Sequence, residues 1–322
     1  MNLITPISTI PTRKDIEESH HIIQPYIHRT PVLSSSYLNS ITGCKLFFKC
    51  ENFQKVGAFK MRGASNALIR LTEHDLMKGV ATHSSGNHAA ALALAAKNKG
   101  IPAYIVMPSS APRIKKEAVK QYEGKVIECF PTLESRETTL QQVVNQTGAT
   151  FVHPFDNYSV IGGQATAAKE LIEEIENLNA IFAPVGGGGL LSGTALASKY
   201  FSNGTNVFGA EPLGASDAWE SFHKGKLVPV INPKTIADGL LTSLSEKTFQ
   251  IIRSEVKEIF VVNEEEILAA MRLIWERMKI IIEPSSAVPF AAIIQNKSQF
   301  KGQKIGIILS GGNIDLDEFQ FA

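Results

Sequence analysis

Short apolar runs bounded by glycine or polar residues alternate with longer stretches of helical periodicity almost from one end of the chain to the other. Residues 45–50, 79–83, 102–107, 125–129 and 150–153 read as strands, and 180–185, 207–211, 259–262 and 304–309 are further short apolar runs. Between them, 61–71, 87–98, 111–122 and 134–146 read as helices, the second alanine-rich and closed by Gly100. Asn263 ahead of Glu264, Glu265 and Glu266 is a cap followed by an acidic first turn, which predicts a helix from there to Lys279. Pro284 suits the first turn of a helix over 285–295, where its missing N–H costs little. Strands and helices in alternation predict parallel sheets covered on both faces. Open sheets of that type bind ligands at the carboxyl ends of their strands, so the loops after the strands are where chemistry is sought.

Length and charge narrow the class. A chain of 322 residues makes one large or two coupled domains, and without repeats or a Pro/Ser-rich linker any passage between domains is short. A net charge of +1 offers nothing to neutralise a phosphate backbone, so neither nucleic acid nor membrane is expected as a partner. No apolar run approaches the roughly 18 residues of a membrane span. The first ten residues lack a cationic start and an unbroken apolar core, unlike a secretory signal. Cys44, Cys50 and Cys129 are odd in number and lack a CxxC spacing, which speaks against a disulfide framework or zinc site and for a reducing cytosol. A cytoplasmic α/β protein is the expectation.

Four loops carry candidate chemistry. In the first, 52–64, Lys60 stands where a loop meets a helix, between the apolar Phe59 and Met61. Burial there disfavours the ammonium form, as a nucleophilic or Schiff-base lysine requires, although an isolated lysine is most often a solvated helix start. In the second, Ser84-Ser85-Gly86-Asn87-His88 joins an apolar strand to the alanine-rich helix. Small hydroxyls, a glycine and the free N–H groups of a helix end make a carboxylate cradle; a plain helix cap accounts for the same residues equally well. In the third, Gly186-Gly187-Gly188-Gly189 lies between a strand and a helix, letting backbone N–H groups close on an anion. Both nucleotide fingerprints fail here: the dinucleotide spacing meets Leu191 or Ser192, and no Gly-Lys-Ser/Thr follows. The phosphate of another cofactor fits. In the fourth, Ser310-Gly311-Gly312-Asn313 ends the last apolar strand in a hydroxyl and two glycines.

In this order and spacing, the four segments resemble the fold-type II pyridoxal-phosphate enzymes, and within them the branch of serine racemases and serine/threonine dehydratases. The similarity runs from Thr30-Pro31-Val32-Leu33 to Ser310-Gly311-Gly312-Asn313. The resemblance implies an α/β fold of two domains, each a mostly parallel sheet covered by helices, with 1–72 plus 153–322 as the large domain and 73–152 as the small one. It implies pyridoxal 5'-phosphate as cofactor, contacted by Phe59 and bound covalently by Lys60, which also removes the substrate α-proton. Gly186, Gly187, Gly188, Gly189 and Leu190 would hold the cofactor phosphate, Asn87 its phenolic oxygen, and Ser310 would face its pyridine nitrogen. A neutral hydroxyl does not keep that nitrogen protonated, which favours elimination and racemisation over transamination. Ser84, Ser85, Asn87 and His88 would receive the substrate carboxylate.

The same resemblance separates the activities. Similar threonine dehydratases usually carry alanine where Ser85 stands and serine racemases carry serine, so Ser85 could deliver the proton on the second face through a relay, its own acidity being poor; the alternative is that it only binds the carboxylate. The chain stops shortly after Asn313, so the isoleucine-sensing regulatory domain of biosynthetic threonine dehydratases is not expected. Glu211, the carbonyl of Ala215 and Asp217 match the branch's divalent-metal site, with hard oxygen ligands suited to Mg²⁺ or Ca²⁺. Ser35, Ser36, Tyr37, Lys55, Tyr122, Lys279 and Asn313 fall where the animal enzymes bind ATP at a subunit interface; Val56 and Ala90 depart from that pattern, which argues against nucleotide activation. Arg136 could pair a second substrate carboxylate bidentately, as similar chains acting on threo-3-hydroxyaspartate would require. The expected activity is therefore a serine racemase with serine/threonine dehydratase activity, working on a small amino acid as a homodimer. The alternatives are an L-threo-3-hydroxyaspartate ammonia-lyase and a threonine dehydratase without racemase activity.

Overall fold

The computed structural model describes residues 4–111 and 113–317. Among the described residues, ten strands form two separate sheets. The larger contains β1 (Val32–Leu33), β2 (Lys45–Cys50), β7 (Ala180–Pro184), β8 (Asn206–Pro212), β9 (Glu258–Val262) and β10 (Lys304–Leu309), in the spatial order β1-β2-β10-β7-β8-β9. The smaller contains β3 (Val80–His83), β4 (Ala103–Pro108), β5 (Lys125–Cys129) and β6 (Thr150–Phe151), in the order β5-β4-β3-β6. Every pairing is parallel except the short edge strand β1, which runs antiparallel to β2. The second sheet is built from chain that leaves the first after β2 and returns to it at β7.

Parallel strands buried on both faces need apolar runs, and β7 and β10 supply them: Ile181, Phe182 and Ala183 are buried, as are Ile305, Ile307 and Ile308. Register places Ile307 beside Phe48 on one side and Phe182 on the other. On one face Phe182, Phe208, Phe260 and Phe300 pack with ring centroids 4.9–5.9 Å apart. The predicted cap at Asn263 is present as a capping box with Glu266, and Pro284 is the first residue of the helix Pro284–Gln295.

The helix Tyr158–Glu174 has no counterpart in the pattern reading, because Gly162-Gly163 looks like a break. Here the glycines permit contact. A Cβ on Gly163 would lie 2.6 Å from the Arg62 carbonyl, and one on Gly63 would lie 2.8 Å from the Val160 carbonyl. The helix Lys60–Ile69 thus packs directly against Tyr158–Glu174. Between them Arg62, fully buried, donates to Glu51 at 2.7 and 2.8 Å and to Glu170 at 2.9 and 2.8 Å. Lys49 Nζ completes the cluster with 2.6 Å bonds to Glu170 and to the Thr30 carbonyl.

Candidate active site

The predicted segments meet at the carboxyl ends of β10, β7 and β3. The loop carrying Lys60 is tied to the turn after β10 by Phe59 N–H donating to the Ser310 carbonyl at 3.0 Å and Gly312 N–H to the Gly57 carbonyl at 2.9 Å. That loop is strained: Val56 has φ 59°, a left-handed conformation a β-branched residue rarely adopts. Asn313 Nδ2 holds it by donating to the Val56 carbonyl at 2.7 Å. Lys60, first residue of its helix, donates from Nζ to the Pro154 carbonyl at 3.0 Å. Burial lowers its amine to about 8, with Glu283 pulling the other way.

The second cradle sits at the start of the helix Asn87–Lys99. Gly86 N–H approaches Ser84 Oγ at 3.4 Å, and the N–H groups of Asn87 and His88 make no hydrogen bond to a described residue. The Ser85 side chain likewise has no described partner. The His88 ring points elsewhere: Nε2 meets the Val152 carbonyl at 3.2 Å, and burial, reinforced by Lys60, holds the imidazole neutral. Since that carbonyl accepts only, Nε2 carries the proton, and the buried Nδ1 is left as an acceptor without a described partner. A carboxylate would therefore meet the main chain of His88 and not its ring.

The glycine loop has the form a phosphate requires. Gly188 is the N-cap of the helix Gly189–Phe201 at φ 85°, and no N–H from Gly186 to Leu190 donates to a described residue. Side chains are excluded by crowding: a Cβ on Gly187 would lie 2.3 Å from the Phe155 ring, and one on Gly188 would lie 2.7 Å from Leu244. Ser310 is buried with Oγ 3.1 Å from Ser286 Oγ. Ser286 donates to the Gly311 carbonyl at 2.7 Å, so the Ser310 proton is free for Ser286 Oγ or for an unprotonated ring nitrogen. A lysine that deprotonates easily, a cradle of N–H groups that donate to no described residue and a neutral hydroxyl donor together fit pyridoxal 5'-phosphate.

Other predicted residues lie farther out. Arg136 belongs to the helix Leu133–Thr147, with Nε 3.4 Å from the Thr132 carbonyl. It reaches His83, the residue before Ser84, closely enough to depress that imidazole after burial has done so. Glu211, at the end of β8, accepts from Ala218 N–H at 3.1 Å and Trp219 N–H at 2.9 Å. Asp217 begins the helix Asp217–Lys224, and its buried oxygens have Ser243 and the Leu244 backbone nearby but no hydrogen bond of good geometry among the described residues. Burial raises both carboxyls, Glu211 well above its ordinary value with Asp217 adding to it, and Asp217 to about 6. Two buried carboxylates without a cation among the described residues suit a hard divalent ion, with Ala215 in the turn between them. Of the predicted nucleotide residues, Asn313 is engaged with Val56 and Asn87, and Tyr122 and Asn313 line a cavity of about 640 Å³ together with Val56 and Ala90.

Glu283 and His153 were missed by the sequence reading. Glu283 accepts from Asn87 Nδ2 at 3.1 Å on each oxygen, and burial, then Asp238, raises it to about 7. His153 Nδ1 accepts from Asp156 N–H at 2.8 Å, and burial takes the ring down to about 4. Neither stands in a motif; both enter the site only through tertiary contacts.

Comparison with known proteins shows the family and the fold. The family model described as "Pyridoxal-phosphate dependent enzyme" matches residues 23–311. A serine racemase of Dictyostelium discoideum is 51% identical over 97% of this chain and 97% of its own length. A β-hydroxyaspartate dehydratase of Paracoccus denitrificans is 49% identical over 96% of this chain and 98% of its own. The crystal structure of Dictyostelium discoideum serine racemase superposes with a TM-score of 0.91, covering 95% of this chain and 99% of that one.

Proposed function

The chain belongs to the pyridoxal-phosphate dependent enzyme family, and from that premise we propose that it is a serine racemase with serine/threonine ammonia-lyase activity. The observation that carries the reading is Ser85: a half-buried hydroxyl without a described partner, beside the free N–H groups that begin the helix Asn87–Lys99. The cofactor, when bound, supplies the electron sink that makes the substrate α-proton acidic. The chain does the rest. Ser84, Ser85 and the N–H groups of Asn87 and His88 take the substrate carboxylate, helped by the positive helix end. Lys60 Nζ, neutral in part near pH 8, removes the proton at Cα and holds it. Ser85 returns a proton from the other side to give the D-enantiomer, while loss of the β-hydroxyl as water, followed by hydrolysis of the released aminoacrylate, instead gives a keto acid and ammonia. Ser310 offers the ring nitrogen a hydrogen bond without a formal charge.

Glu211, Ala215 and Asp217 would hold Mg²⁺ or Ca²⁺ away from this chemistry. Phe53 and Ile281 lie exposed on loops joined by the Asn52 Nδ2 bond to the Ile281 carbonyl at 3.1 Å, an apolar surface that a second copy would cover in a homodimer. Residues 73–152 would move as a small domain against 1–72 plus 153–322, and three buried free thiols suit the cytoplasm.

A second reading, L-threo-3-hydroxyaspartate ammonia-lyase, is favoured by Arg136, half-buried beside His83 and facing no carboxylate among the described ion pairs. Incubating the cofactor-loaded enzyme with L-serine, while following D-serine by chiral chromatography and pyruvate by a coupled assay, tests the first. D-serine with pyruvate is expected. A hydroxyaspartate reaction that is much faster, without D-serine, would transfer the function to the second reading.

A further inference from the structure

Glu283 occupies a position from which a carboxylate could cap its own helix, yet its side chain makes no cap bond to Pro284–Gln295. It turns instead onto the site. Both oxygens accept from Asn87 Nδ2 at 3.1 Å, and one also accepts from Asn313 N–H at 3.2 Å. The residue is 3% exposed, and a Cβ on Gly311 would lie 2.9 Å from its Oε1, so the glycine is what admits the carboxylate.

These bonds determine which way the Asn87 amide faces. The Val56 carbonyl can only accept, so the amide nitrogen of Asn313, 2.7 Å away, must be the group that points at it. The second hydrogen of that nitrogen goes to Asn87 Oδ1 at 2.8 Å. Asn87 Nδ2 then faces Glu283, which accepts from it. A carboxylate can engage one amide hydrogen with both oxygens, leaving the other hydrogen for the phenolic oxygen of the cofactor. Asn87 follows β3 of the smaller sheet, whereas Asn313 follows β10 of the larger and Glu283 N–H donates to the Gly311 carbonyl in the turn between them, so the same bonds join the two sheets where the cofactor would sit.

We propose that Glu283 is a positioning residue of this enzyme, fixing the Asn87 amide toward the cofactor and holding the substrate-cradle end of the helix Asn87–Lys99 against the larger sheet. The inference rests on the cofactor assignment and on the role of Asn87, but not on which amino acid is turned over. A carboxylate buried merely to fill space would be a costly choice, since burial without compensation disfavours the charge. Its weakened acidity accords with that cost, Asp238 adding to it and the Asn87 bond opposing it. Glutamine has nearly the same shape but only one acceptor oxygen. It would either abandon Asn313 N–H or set an N–H against Asn87.

The test is a double-mutant cycle on cofactor affinity, titrating pyridoxal 5'-phosphate into the apo-forms of wild type, Glu283→Gln, Asn87→Ala and the double variant. Bound-cofactor absorbance gives each dissociation constant, and circular dichroism confirms folding. Each single change is expected to weaken binding about tenfold or more, the range of a hydrogen bond to a charged group, with the double variant no weaker than Asn87→Ala alone. Affinity within twofold of wild type for Glu283→Gln, or losses that multiply, would overturn the proposal. Should Glu283→Gln not fold, Asn313→Ala runs in the same cycle, because it removes the donor that orients Asn87 while leaving the carboxylate; the same two outcomes decide. Neither result depends on D-serine formation, so this inference and the racemase reading fail separately.

Discussion

Two groups of acidic side chains are buried in the half of the molecule built on the larger sheet, and they are neutralised in opposite ways. Glu51 and Glu170 are closed around Arg62 and Lys49, two carboxylates against two cations. Burial pushes Glu170 up, yet bonds from His20 and Arg62 hold it below its ordinary range. Glu211 has two backbone N–H groups and Asp217 beside it, no cation faces either among the described residues, and both carboxyls are raised. Charge completed within the chain serves to hold elements together. Charge left open is a request for a ligand. Lys60 belongs with the second kind: one hydrogen bond to a carbonyl holds it, and its proton is easily lost.

Arg62→Met should break the comparison most severely. It leaves Lys49 as the one lysine or arginine facing Glu51 and Glu170, and removing one member of a buried ion cluster costs about 3–5 kcal/mol. Urea unfolding measures it; a loss below about 1 kcal/mol would mean the cluster does not anchor the Lys60 helix. The open pair should answer with the opposite sign. In chelator-treated protein Glu211→Gln should be neutral or stabilising, because it relieves repulsion. In wild type Mg²⁺ or Ca²⁺ at a hundredfold excess over Kd should stabilise by about 2.7 kcal/mol, seen as a rise in Tm that Glu211→Gln abolishes. No rise with either ion would remove the metal from the account.

Lys60 sharpens the comparison by its pH dependence. Its folded value of about 8 lies below the ordinary 10.5, so the stability contributed by the neutral amine is whole above 10.5 and is lost as pH falls through about 8. Labelling the apo-enzyme with an amine reagent, read at Lys60 by mass spectrometry, should give a midpoint near 8. A midpoint near 10.5 would mean that the amine is solvated and not prepared by burial.

These differences also explain what could be read from the sequence. Lys60, the Ser84–His88 turn and the four glycines lie in local strings whose chemistry is continuous along the chain, and the apolar runs at 45–50 and 304–309 fixed two neighbouring strands of the larger sheet. Glu283 was passed over for the proline after it, because its meaning lies in Asn87, distant by 196 residues. Arg62 stands beside Lys60 without any local sign of its role, since neither Glu51 nor Glu170 announces its partner. The helix Tyr158–Glu174 was hidden by the glycines that let it pack. His88 belongs to the carboxylate cradle by its place at the helix start, and only the contact with Val152 shows that its ring is turned away and its main-chain N–H is what it offers. Local strings reveal groups that act; contacts between distant segments reveal groups that hold them.

The central claim is that protons reach both sides of the substrate α-carbon, from Lys60 and from Ser85. The most direct measurement compares D-serine and pyruvate formation from L-serine by wild type and Ser85→Ala, each loaded with cofactor. The account predicts that D-serine disappears in the variant, a loss of about 100-fold or more for a lost proton donor, while pyruvate persists. D-serine formed by Ser85→Ala at the wild-type ratio to pyruvate would contradict it.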